Sequence, residues 1–200
     1  MRSVAAAIIA GGPARRLGGA TKPLLEIDGR AVADRQLAVL RPIFSRLLVV
    51  ANDPAPWRAR GVEVVPDRVS GAGPLAGLSA ALAAAGDAEA VVCLAGDLPF
   101  LAPALLTALR DRAPEAEALA PRPAGRAEPL CARYAVRMRE VVDARLTAGK
   151  LALHELLTGL ATVWLDDAAL AALDPEGLSF FNLNTPDDLR RAEEIARRAP

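Results

Sequence analysis

Lysine is almost missing from this chain: Lys22 and Lys150 stand against twenty-two arginines. Histidine is represented by His154 alone, and the two cysteines, Cys93 and Cys131, form no C-x-x-C pair. A zinc site cannot be assembled from so few ligands, and reduced, buried thiols are the expectation. No Ser-His or Cys-His pairing offers a covalent nucleophile. Formal charge sums to zero from 24 basic and 24 acidic residues, so the basic excess of a nucleic-acid binder is lacking. No apolar run reaches the ~18 residues of a membrane span. The N-terminus also lacks the charged, apolar and small-residue succession of a signal peptide, which makes the cytoplasm the expected location. Apolar side chains, by contrast, are plentiful: 52% of 200 residues are hydrophobic. That suffices for a single domain over residues 1–200 with a sizeable core.

The most informative stretch is Ile8-Ile9-Ala10-Gly11-Gly12-Pro13-Ala14-Arg15-Arg16-Leu17-Gly18-Gly19-Ala20-Thr21-Lys22-Pro23. An apolar run over residues 4–10 stops at four glycines, two arginines and a lysine, the pattern of a buried strand feeding a cationic loop. Glycines let backbone N–H groups approach an oxyanion without a Cβ in the way, and the basic side chains supply charge. This is the composition of a phosphate site, with an ordinary strand-to-helix turn as the competing explanation. A Walker loop is excluded because Lys22 is followed by Pro23 rather than Ser or Thr, and the glycine spacing does not fit G-x-G-x-x-G. In so arginine-biased a chain Lys22 stands out, since a compact ammonium suits a crowded triphosphate where a planar guanidinium demands a forked partner. Lys150, after Gly149, is a weaker candidate and equally a solvated helix-end charge.

Beyond the loop, strand and helix patterns alternate. Residues 24–30 form a short extended piece ending in an Asp28-Gly29 turn. Strands are expected over 47–51, 62–65, 90–95, 117–120, 129–134 and 162–165, and helices over 31–40, 75–85, 103–112, 136–146 and 151–157. A last helix opens at Pro186, with Thr185 as N-cap and Asp188 closing a capping box. Residues 90–95 are the most uniformly apolar, as befits a central parallel strand buried on both faces. The predicted fold is α/β: a single Rossmann-like three-layer domain with a mostly parallel central sheet and helices on both faces. In such sheets ligands gather beyond the strands' carboxyl ends, where strand order reverses, and every unusual loop of the chain lies at such an end.

Asp97 follows the apolar strand between Gly96 and Pro99. A carboxylate there would repel a nucleotide's phosphates unless a divalent cation lay between them, which makes Asp97 the candidate magnesium ligand; a helix cap is the alternative. All three asparagines, Asn52, Asn182 and Asn184, fall in candidate site loops, the last two spaced to point the same way along an extended segment. Asp67 accepts hydrogen bonds only, so it suits base or ribose donors, unless it pairs with Arg68 or Arg60.

The motifs Ile9-Ala10-Gly11-Gly12-x-x-x-Arg16-Leu17-Gly18-Gly19-x-x-Lys22, Gly73-Pro74-Leu75-Ala76-Gly77, Gly96-Asp97-Leu98-Pro99-Phe100 and Asn182-x-Asn184-Thr185-Pro186-Asp187-Asp188-Leu189 together resemble the molybdenum cofactor guanylyltransferases, in family order and across nearly the whole chain. The first and third are shared by nucleotidylyltransferases generally. One position departs: a family motif that usually reads Pro-Leu-His is here Pro129-Leu130-Cys131, ahead of Tyr134. The resemblance implies transfer of GMP from GTP to the terminal phosphate of molybdopterin, with or without its molybdenum, and release of pyrophosphate. By position, Ile9, Ala10, Gly11, Gly12, Lys22, Asn52 and Asp67 would bind GTP, Asp97 would hold Mg2+, and Asn182 and Asn184 would lie by the metal and the acceptor. Arg16, Lys22 and Asp97 would stabilise the in-line transfer, with Arg15 as a further helper. The resemblance further implies transient contact with proteins that deliver the pterin or receive the finished cofactor. A molybdopterin cytidylyltransferase, a sugar-1-phosphate nucleotidylyltransferase and a non-catalytic nucleotide-binding module remain as alternatives.

Overall fold

The computed structural model describes residues 3–10, 21–67, 69 and 72–198. In chain order these form β1 (Val4–Ile9), β2 (Glu26–Ile27), β3 (Arg30–Ala31), α1 (Val32–Leu40), β4 (Leu47–Val50), α2 (Ala55–Arg58), β5 (Glu63–Val65), α3 (Gly73–Ala83), β6 (Ala90–Ala95), α4 (Pro103–Asp111), β7 (Ala118–Pro121), β8 (Cys131–Ala135), α5 (Arg139–Thr147), α6 (Leu153–Gly159), β9 (Thr162–Leu165), α7 (Asp167–Leu173) and α8 (Pro186–Arg198). One seven-stranded sheet runs β5-β4-β1-β6-β8-β7-β9. β1 lies parallel to β4 and β6, β4 to β5, and β7 to β9. β8 alone is antiparallel to its neighbours, β6 and β7.

The mostly parallel sheet matches the expectation from sequence, but β6 is not flanked by parallel strands on both sides. Its unbroken apolar run reports burial of both faces, which β6 has, and that burial does not depend on the direction of a neighbour. The strand pleat explains the layers. Ala6 and Ile8 of β1 point into a core with Leu37 and Leu40 of α1, Leu105 and Leu109 of α4, and Leu170 of α7. Ala5, Ala7 and Ile9 point the other way, onto Leu75 and Leu78 of α3, Val142 of α5 and Leu156 of α6. α3 seats closely on β1 because of Gly77, where a Cβ would lie 2.5 Å from Ile9 Cγ2. Cys93 and Cys131 are buried free thiols on opposite faces, and burial pushes both well up from the ordinary thiol range.

A third, small core caps the carboxyl end of the sheet. Ile27, Val32, Leu183 and Ala192 are buried there, with Phe100 and Phe181 packed against them. The β2–β3 hairpin turns at Asp28 (φ 52°) and Gly29 (φ 67°), the left-handed pair that a two-residue hairpin of this twist demands. Two helices escape the sequence pattern: the single turn α2, and α7, whose N-cap is Asp166, accepting from Ala169 N at 3.0 Å. The helix expected over 136–146 begins instead as a 3-10 turn, Val136–Met138, before α5.

Candidate active site

The chain passes from β1 outward to β4 and β5, then returns to place β6 on the other side of β1. The carboxyl ends of β1 and β6 therefore flank the point where strand order reverses. Gly96 lets them close together: its N–H donates to Ile9 O at 3.1 Å, and a Cβ would lie 2.8 Å from Pro23 Cγ and 3.3 Å from Ala10 Cα. Pro23 is buried in the 3-10 turn Lys22–Leu24. That turn aims Lys22 at the end of β6.

The Lys22 ammonium lies 2.7 Å from Asp97 Oδ2 and 2.7 Å from Asn184 Oδ1. Side chains of the Lys22–Asp97 pair are 24% and 17% exposed, shielded enough that solvent screens them less than a surface pair. Three segments distant in sequence thus converge on one cation. Asp97 is not a helix cap: α4 starts six residues later with Ala102 at its cap position.

Each partner is held from behind. Leu183 is fully buried, so Asn182 and Asn184, which flank it, face the same way. Its N–H donates to Asp97 O at 3.2 Å. Asp188 closes the expected capping box: its Oδ2 accepts from Asn184 N at 3.0 Å, Thr185 N at 2.9 Å and Thr185 Oγ1 at 2.9 Å, while Asp188 N donates to Thr185 Oγ1 at 3.2 Å. The Asn184 N–H bond, then the Thr185 hydroxyl, hold the Asp188 carboxyl below its ordinary value. Replacing Asp188 by alanine is expected to cost about 1 kcal/mol. Because the folded value is depressed, that stabilisation is complete above the unfolded value of about 3.9 and disappears as pH falls through the folded one. Urea melts should show the gap between wild type and Asp188→Ala constant from pH 7 to 5 and closing below pH ~4; a gap that stays constant into acid would refute the box as its source.

Behind Asp97 stands Gln36, 1% exposed on α1. Its Nε2 donates to Ala95 O at 2.8 Å and Leu98 O at 3.0 Å, gripping the backbone on both sides of Asp97. Gln36 belongs to no motif of the sequence. The available signal was a lone amide within the apolar stripe Val32, Ala33, Leu37 and Leu40 of one helix.

A cavity of about 1240 Å³ opens over this cluster. That exceeds the roughly 300–1,000 Å³ typical of a small-molecule site. Ile9, Ala10, Lys22, Asn52, Asp67, Asp97, Asn182 and Asn184 all line it, so eight of the sequence candidates share one space. Gly11, Gly12, Arg15 and Arg16 lie outside the described residues. On one side the wall is completed by Val50, Gly73, Pro74 and Gly77. On the other it comprises residues 126–130 and 151–154, including Arg126, Glu128 and His154. Of this second wall the sequence marks Pro129 and Leu130, within the motif that departs at Cys131; residues 126–128 and 151–154 belong to no motif. Tyr134 fixes it by donating its hydroxyl to Pro129 O at 2.8 Å, and burial pushes the Glu128 carboxyl up.

Asp67 accepts from Val69 N at 3.1 Å, and Arg60 is engaged by Asp34 at 2.7 Å; Arg68, the other partner considered for Asp67, lies outside the described residues. Lys150 does not line the cavity, although its neighbour Leu151 does. Cys131 belongs to the core shared with α1, α4 and α7 rather than to the cavity wall. The position that departs from the family motif is therefore a packing position here.

A mostly parallel sheet with a cationic and acidic cluster and a large cavity at its switch point is the arrangement by which α/β proteins hold ligands beyond the strands' carboxyl ends. Comparison with known proteins narrows the class. Residues 6–163 match the model of the MobA-like NTP transferase domain. The molybdenum cofactor guanylyltransferase of Desulfosudis oleivorans is 31% identical over 194 residues, covering 96% of each chain. That of Cereibacter sphaeroides is 36% identical over 198 residues, again covering 96% of each. The crystal structure of molybdopterin-guanine dinucleotide biosynthesis protein A from Archaeoglobus fulgidus superposes with a TM-score of 0.83 at 30% identity, over 98% of this chain and all of that one. The chain belongs to the MobA-like NTP transferase family.

Proposed function

We propose that this protein is a molybdenum cofactor guanylyltransferase that moves GMP from GTP to the terminal phosphate of molybdopterin and releases pyrophosphate. The observation that carries the proposal is the convergence of Lys22, Asp97 and Asn184 at the sheet's switch point, in a family whose relatives bear that name. The metal requirement is tested by the donor set. Among the described residues no group of three His, Cys, Asp or Glu could hold an ion, but Asp97 Oδ2 and Asn184 Oδ1 already share one cation. One or two protein oxygens completed by phosphates and water are what magnesium normally takes, so the residues fit Mg2+. When bound by Asp97, that ion would supply charge neutralisation on the α-phosphate and pyrophosphate oxygens.

The rest follows from the chain's own groups. Asn52 and Asp67 line the same cavity as Gly73, Pro74 and Gly77, and Asp67 would accept from the guanine's N–H donors there. The backbone of Ile9, Ala10, Gly11 and Gly12 would lie along the phosphates, with Lys22 and Arg16 matching the charge that grows on the leaving pyrophosphate. Asn182 and Asn184 would orient the acceptor phosphate for in-line attack, its pterin lying toward the 126–130 and 151–154 wall. Catalysis is thus positioning and charge stabilisation, with no covalent intermediate.

Thermal shift with magnesium and each of GTP, CTP, ATP and UTP tests the base. A ligand that binds the native state raises apparent stability by RT ln(1 + [L]/Kd), about 2.7 kcal/mol at a hundredfold excess over Kd. GTP should raise Tm more than the others, and pyrophosphate should appear only when molybdopterin is added. Stabilisation by CTP but not GTP excludes the guanylyl assignment, and no turnover with any nucleotide identifies a non-catalytic binding module.

A further inference from the structure

We propose that in the nucleotide-free protein the Lys22 ammonium occupies the seat of the divalent cation, and that the ligand this site admits is a metal–triphosphate chelate rather than a free metal ion. The proposal rests on the reading above that Asp97 is the metal ligand. Asp97, through Oδ2, and Asn184, through Oδ1, both accept from the one ammonium at 2.7 Å. A lysine Nζ is donor only, and these are charge-assisted distances. A magnesium or manganese ion binds its oxygens at roughly 2.1 Å, so it cannot enter between the same two atoms while the ammonium is there, and like charges at that separation repel strongly.

The donors are the fixed members of the cluster. Asn184 is tied by its N–H to Asp188, and buried Leu183 beside it donates to Asp97 O. The backbone around Asp97 is gripped by Gln36 at Ala95 O and Leu98 O. Lys22 is anchored through its backbone turn and buried Pro23, while its ammonium rides on a flexible four-carbon stem. Lys22 is therefore the member that moves. A triphosphate offers it replacement oxygens beside the same seat, so release of the seat and arrival of the phosphates occur together. Linkage then requires that nucleotide tighten metal binding and metal tighten nucleotide binding by the same factor.

The test is Mn2+ binding to the full chain without any nucleotide, read by the EPR signal of free ion. Lys22→Met, which keeps an apolar stem and removes the charge, should bind Mn2+ about tenfold or more tightly than wild type, within the 5–150-fold range usual for coupled sites. Lys22→Ala should shift in the same direction. Adding Asp97→Asn to Lys22→Met should abolish the gain. Equal or weaker Mn2+ binding by both lysine variants overturns the proposal, as does a gain that survives loss of the Asp97 carboxylate. No nucleotide or acceptor enters this titration. A wrong base or acceptor would show in the thermal-shift panel and leave the Mn2+ result unchanged.

Discussion

Asp97→Asn should lower kcat for pyrophosphate release by roughly 10²–10³ while leaving the fold intact. The substitution preserves the shape of the side chain and its backbone bond to Leu183. It removes the one charge that the described residues place at the end of β6 in contact with Lys22. The amide brings no negative charge to a divalent cation, and it leaves the Lys22 ammonium without a counter-charge in a partly shielded site. The stability effect should be small, because pairs with this much exposure contribute at most about 1 kcal/mol. Steady-state rates and thermal melts on the same preparation separate the two effects. A rate within about threefold of the parent, under ~1 kcal/mol in the barrier, removes Asp97 from the chemistry.

Gln36→Leu should be costly in both stability and rate. Leucine matches the amide's size and removes Gln36 Oε1, buried without a partner among the described residues, but it takes the Nε2 donor from Leu98 O, which is buried, and from Ala95 O, which is part-buried. Each unsatisfied buried group costs about 1–3 kcal/mol, so a loss of roughly 2–4 kcal/mol is expected. The same two carbonyls bracket Asp97, so kcat should fall even at temperatures where the variant is fully folded. Leu109→Ala is the comparison. Leu109 is fully buried on α4, and its truncation should destabilise by a similar ~2–5 kcal/mol with kcat unchanged in the folded state. If Gln36→Leu and Leu109→Ala retain the same kcat at 20 °C, Gln36 supports the core alone and does not position the metal ligand.

Those two residues also mark what sequence makes legible. Asp97 was legible because its strand is uniformly apolar and the acid interrupts it at the carboxyl end. Local pattern sufficed there. The same holds for the Thr185–Asp188 box and the Asp28-Gly29 turn, whose chemistry is contained in four or fewer consecutive residues. Gln36 was not legible as a site residue, since its role depends on α1 crossing the end of β6, a contact 59 residues away in sequence. Apart from the Pro129-Leu130 motif, the 126–130 and 151–154 wall escaped for a related reason. It reaches the cavity only because β8 runs antiparallel to β6, which brings the start of β8 to the sheet's carboxyl end. An apolar run reports burial and says nothing of direction, so neither β8's orientation nor that wall follows from composition. Lys22 was singled out by its rarity, but its bond to Asn184 spans 162 positions and needed α8 to fold back over the hairpin.

The most direct measurement is a crystal structure with Mn2+ and a GTP analogue whose α–β bridge cannot be cleaved, read at the manganese edge. The expected map places the anomalous peak on the Asp97 carboxylate, the triphosphate against Lys22, and the guanine beside Asp67. A manganese peak away from Asp97, or a guanine seated against Arg126 and His154 with its phosphates remote from Lys22, contradicts the assignment of this cavity.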